Sequence, residues 1–125
     1  MAKKPEKGRR SRVVKVIPSG VPELYPDVKI YDTTLEKIRA KHPEEYARLQ
    51  EIYQTIQAPT RVHKSKTNPR SITLLNSNAT SAAGDPLRVP VKIVSDTSAI
   101  MTSAYFTEVN DQGPLLWPIS SDKTD

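Results

Sequence analysis

The sequence predicts an α+β domain, with amino-terminal helices packed on one face of a roughly four-stranded antiparallel sheet and a disordered basic tail ahead of them. Three observations carry that expectation. Helical periodicity is confined to residues 33–56, and the chain after them alternates or turns as strands do. At 125 residues and 36% hydrophobic content, the chain has room for one modest core. Helices first and strands after them segregate on a sheet rather than interleave with it.

In chain order, the tail comes first. Residues 1–12 carry Lys3, Lys4, Lys7, Arg9, Arg10 and Arg12. Residues 1–16 hold seven Lys/Arg and one Glu, a net of +6, and the remaining 12 basic and 13 acidic residues leave −1. The high isoelectric point therefore belongs to a tail, and such tails stay solvated until a polyanion or partner orders them. Residues 13–17 can add a strand. Pro18, Gly20, Pro22 and Pro26 make residues 18–27 read as a stiff connector instead of a core element. The division expected is a tail and connector over 1–27, a domain over 28–109 and an extension over 110–125.

Thr33 and Glu36 form a capping box in the sequence, each able to satisfy a backbone N–H of the first helical turn. Leu35 and Ile38 give that helix a short apolar stripe, and Pro43 ends it at His42. Pro43, Glu44 and Glu45 suit the start of a second helix, where carboxylates meet the positive end of the dipole. Tyr46, Leu49, Ile52, Tyr53 and Ile56 then recur on one face, and Ala58-Pro59 closes the run.

Residues 60–64 and 71–75 read as a hairpin about a turn at 65–69. Residues 76–86 form a loop of small residues, long enough to move or to carry function. Its Asn78-Ala79-Thr80 matches a glycosylation acceptor, an accidental match where no secretory signal is seen. Residues 87–94 are the clearest strand, with Leu87, Val89, Val91 and Ile93 alternating against Arg88, Pro90 and Lys92. After a turn at 95–97, residues 98–107 are its partner, with Ile100, Ala104 and Phe106 on one face and Ser103 and Tyr105 on the other. Thr102 falls on the apolar side by parity unless a bulge re-aims it. The lone Trp117 is expected to fold back onto the body. The sheet face away from the helices is then open and basic.

Several chemistries are excluded. Without cysteine there is no disulfide framework and no thiolate metal site. No apolar run reaches membrane-spanning length, so a cytoplasmic protein is the default and no membrane partner is expected. Asp85, Asp96 and Asp111 sit in turns where aspartate serves local hydrogen bonding, and the four glycines have no phosphate-loop spacing.

Lys41-His42-Pro43-Glu44, Pro59 after the next helix, a basic hairpin, Leu87-Arg88-Val89-Pro90-Val91-Lys92 and Met101-Thr102-Ser103-Ala104-Tyr105 resemble the phage-associated branch of the barnase, EndoU, colicin and RelE-like nucleases. The likeness covers roughly residues 28–108. It implies helices against a four-stranded antiparallel sheet and a ribonuclease site on the open face that uses no metal and no cofactor. Members often carry a further histidine in the first helix, near where this chain has Lys37.

Metal-free RNA cleavage needs a base for the 2′-hydroxyl proton, an acid for the leaving 5′-oxygen and cations on the phosphate. The resemblance makes His42 the general acid or base; the bland reading of His42 is a polar cap on a helix junction. His63 reads as a surface histidine in a basic hairpin. The resemblance also puts a hydroxyl of the last strand, Thr102, on the phosphate, and Tyr105 can stack on a base. Residues 61–92 hold Arg61, Lys64, Lys66, Arg70, Arg88 and Lys92 against one acid, Asp85. Arg70 and Arg88 suit bidentate phosphate contact, and the lysines suit steering. The catalytic set expected is His42, Arg70, Thr102 and Tyr105, with Arg61, Lys64, Lys66, Arg88 and Lys92 holding nucleic acid. RNA is the expected partner, with DNA reachable by the tail and an inhibitor or assembly partner alongside, in a cytoplasmic or phage-associated setting. The competing readings are a binding module with an incomplete site and a phage assembly protein.

Overall fold

Strands organise this chain more than helices do. The computed structural model describes residues 11–66, 68–107 and 113–118. Their elements run β1 (Val13–Ile17), β2 (Val28–Tyr31), α1 (Asp32–Lys41), α2 (Pro43–Tyr46), α3 (Leu49–Gln57), β3 (Arg61–Lys64), β4 (Ser71–Thr80), β5 (Pro86–Ser95), β6 (Ser98–Met101), β7 (Tyr105–Phe106) and β8 (Leu115–Trp117). All eight strands join one sheet in the order β1-β2-β6-β5-β4-β3-β8, with β7 beside β5.

The expected four-stranded sheet behind amino-terminal helices is therefore overturned. The antiparallel run β3-β4-β5-β6 is there, but β1 and β2 precede the helices and extend it on one side, and β8 extends it on the other. The reason is non-local pairing. β2 is only four residues long and lies parallel to β6, Val28 opposite Ala99, a partner some seventy positions away that no local pattern announces. Of the tail expected to lack structure, residues 1–12, the first ten lie outside the described residues, whereas Ser11 is bonded to Thr33 and Arg12 exchanges hydrogen bonds with Asp32. No helix among the described residues is long and apolar enough to cross a membrane.

Strand register fixes two faces. Val62, Leu74 and Val89 form one row across β3, β4 and β5, and Ile72, Val91 and Met101 form the next across β4, β5 and β6. All of them belong to the buried core, together with Val28 and Ile30 of β2. The helices cover this face. α3 buries Ile52, Thr55 and Ile56 against it, as the apolar stripe requires, and Asn76 Nδ2 donates to Thr55 Oγ1 at 3.1 Å from the strand beneath.

The residues from 18 to 27 are also core, contrary to the stiff-connector reading. Val21 and Tyr25 are both 1% exposed. Tyr25 Oη donates to Ile56 O at 2.6 Å, and the Gly20 N–H donates to the same carbonyl at 3.0 Å. A Cβ on Gly20 would stand 2.1 Å from Gln57 O, so only glycine permits this approach. Prolines stiffened the segment without keeping it from the core.

Local expectations fail where tertiary contacts override them. α1 begins at Asp32 with Tyr31 at its cap and no side-chain cap bond, so the Thr33–Glu36 box is not formed there. β2 runs straight into the helix, and Thr33 Oγ1 pairs with Ser11 Oγ at 2.9 Å instead. The helical run breaks at His42 as expected and again at Ala47-Arg48. β4 continues to Thr80 through a bulge, with Asn76 Oδ1 accepting from the Asn78 N–H, so the small-residue loop shrinks to residues 81–85. β6 stops at Met101. Ala99 and Met101 face the core, while Ile100 pairs with Lys92 on the other side. Residues 102–104 then shift the parity, so that Phe106 rejoins Leu87 on the core face.

The second face is less open than expected. Leu75 at 1%, Arg88 at 6% and His63 at 6% exposure are buried on it. His63 is thus no surface histidine; its Nδ1–H donates to Gly113 O at 2.9 Å, and β8 pairs alongside β3.

Candidate functional site

The α1–α2 junction and β7 bring together what the sequence separates. His42 lies between two short helices: its N–H closes α1 on Ile38 O at 2.6 Å, and Pro43 opens α2. That backbone fixes the imidazole against the ring of Tyr105, centroids 5.8 Å apart and tilted by 36°. On the sheet, Tyr105 pairs with Arg88, whose guanidinium lies 5.9 Å from the tyrosine ring centroid.

β7 is only two residues long and is clamped from outside the sheet. The Phe106 N–H donates to Glu45 Oε2 at 2.9 Å, from a glutamate only 7% exposed. The Arg48 guanidinium lies over the Phe106 ring at 4.8 Å, donates from Nη1 to Thr80 O at 2.8 Å and binds Glu51 Oε1 through Nε and Nη2. Glu45 and Arg48 thus hold Tyr105 opposite His42. Locally, Glu45 shows only a helix-dipole role, and the signal for Arg48 in the sequence is its i,i+3 spacing to Glu51. Arg39 and Lys41 in the last turn of α1 add exposed cations next to His42.

The other expected residues fall into three groups. Thr102 does not turn its hydroxyl to the His42–Tyr105 pair: Oγ1 donates to Pro90 O at 3.3 Å. Lys37, at the position where the resembled nucleases often have a histidine, donates from Nζ to Thr102 O at 2.9 Å and ties α1 to the link between β6 and β7. Arg61 shares a row with Leu75, Arg88 and Tyr105 and is exposed three strands from the tyrosine, about 14 Å at ordinary strand spacing. Arg88 is in the site but buried at 6% exposure against the Tyr105 ring, so it is no exposed phosphate clamp.

Arg70, Lys64, Lys66 and Lys92 lie at the other end of the sheet. Lys92 pairs with Ser71, four residues along β5 from Arg88, about 13 Å. Arg70 precedes Ser71 in the β3–β4 turn, as does Lys66, and cannot share a phosphate with His42 from there. Arg70 and Lys64 instead border a cleft of about 420 Å³ between the β3–β4 and β5–β6 turns, residues 18–27 and β8. Among the described residues, no group of three His, Asp or Glu side chains gathers to hold a metal ion. No family model, curated protein or solved structure matches the chain.

Proposed function

We propose that this protein is a metal-independent endoribonuclease-like domain, cytoplasmic or phage-associated, that binds single-stranded RNA at the His42–Tyr105 pair. The observation carrying this is that pair itself. Lys41-His42-Pro43-Glu44 and Met101-Thr102-Ser103-Ala104-Tyr105 resemble two motifs of one nuclease family, and their imidazole and phenol rings meet at 5.8 Å. Tyr105 offers a stacking surface for a base, and Lys41 and Arg39 offer charge for the backbone.

In the reaction, the RNA 2′-oxygen attacks phosphorus while His42 takes its proton. The bond from phosphorus to the 5′-oxygen breaks, and that oxygen takes a proton from the Tyr105 hydroxyl or water, leaving a 2′,3′-cyclic phosphate. With one histidine at the site and Lys37 committed to Thr102 O, turnover is slow. That same commitment favours the second reading, a binding module that holds RNA without cutting it.

The test incubates the folded protein, in excess chelator, with one RNA and with the same sequence carrying 2′-deoxy residues. Cyclic-phosphate ends from the RNA alone are expected. Cleavage of the deoxy strand rules out the 2′-hydroxyl mechanism, and no cleavage of either strand leaves the binding module.

A further inference from the structure

We propose that the cleft at the far end of the sheet is a second binding site, for a small amphipathic carboxylate, separate from the His42–Tyr105 site. Its floor is apolar: Leu24, Ile93 and Leu116 pack against the core, and Ile72 is 5% exposed. Its rim is charged. The exposed Arg70, Lys64 and Asp96, the last in the β5–β6 turn, line the cleft beside this floor.

The two cations are placed by backbone. The Arg70 N–H donates to Asn68 Oδ1 at 2.9 Å, and Arg70 O accepts from the Ile93 N–H at 2.8 Å, so the residue is held at the mouth of the cleft. Lys64 Nζ donates to Pro69 O at 3.1 Å, which uses one of an ammonium's three donors. Arg70 forms no ion pair with Asp96 or any other carboxylate among the described residues. A guanidinium beside an apolar floor matches a ligand with one carboxylate, gripped in a fork, and a hydrophobic body. The volume fits a medium-sized organic molecule.

Octanoate, octanol and acetate are the probes, titrated into the full chain while the methyl signals of Ile72 and Ile93 are followed by NMR. Octanoate is expected to move both methyls and to bind about tenfold tighter than octanol, with acetate inert. Arg70→Gln reduces octanoate affinity about tenfold and leaves octanol unchanged, and Lys64→Gln does the same by a smaller factor. Both substitutions are at exposed positions, so folding is retained. Unmoved methyls, equal binding of octanol and octanoate, or an unchanged Arg70→Gln affinity each overturn the proposal. None of these readings depends on RNA cleavage.

Discussion

At the scale of single residues, the structure rests on buried polar groups with one well-defined partner. Glu45 leaves water to accept the Phe106 N–H. Glu45→Ala is expected to cost about 1.5–3 kcal/mol, since it leaves a buried donor unpaired, whereas Glu45→Gln keeps an acceptor and costs less; urea unfolding of both variants checks the order. Tyr25 is held neutral by burial, which pushes its hydroxyl above the ordinary tyrosine range despite hydrogen bonds from Gly20, Ser19 and Val21 that pull it down. The folded state thus keeps the proton longer than the unfolded chain. Its contribution is complete below the unfolded value of about 10 and is lost as pH rises through the raised folded value. Tyr53 acts in the same direction, through burial and neighbouring Tyr46. Tyr25→Phe should flatten the alkaline loss of stability without abolishing it, as urea midpoints between neutral pH and pH about 11 will report. Little of this was legible in the sequence. A tyrosine between prolines and the second glutamate of a helix start carry no local mark of the carbonyl and amide they meet.

At the scale of elements, legibility follows the range of the cause. α3 declared its buried face through Ile52 and Ile56, and the break at His42 followed from Pro43, because both are local. Ile52→Ala or Ile56→Ala should cost about 2–5 kcal/mol in urea unfolding. β2 and β8 leave no mark in the sequence because a four-residue and a three-residue strand have too few alternations to signal, and the parity of β6 differs from the expected one because residues 102–104 interrupt it. The two best-placed glycines separate two causes. Gly20→Ala should lower stability by roughly 1–3 kcal/mol through collision with Gln57 O. Gly84→Ala meets no atom within 4 Å, yet should cost about 1–2 kcal/mol because its φ is +93°. Thermal midpoints for the pair test both magnitudes.

At the scale of the molecule, a parallel pairing of β2 with β6 encloses the helical run within one sheet, and that topology decides which sequence motifs meet. It joins the His42 and Tyr105 segments at one end. It also leaves Arg70 at the opposite end of the sheet, beyond the Ser71–Lys92 pair, and ties the Thr102 hydroxyl to Pro90 O, which dissolves the four-residue catalytic set expected from the sequence. The charges were legible; their distribution over two ends of the sheet was not, since it depends on register. In the proposed function His42, held against Tyr105, takes the proton, while Tyr105, Arg39 and Lys41 hold the RNA. The most direct measurement is single-turnover cleavage of a labelled RNA in excess chelator by the wild-type chain and by His42→Ala, with RNA affinity measured on the same samples. Cleavage by His42→Ala is expected to fall about a hundredfold or more while affinity changes little. Equal cleavage rates in the two proteins would contradict it.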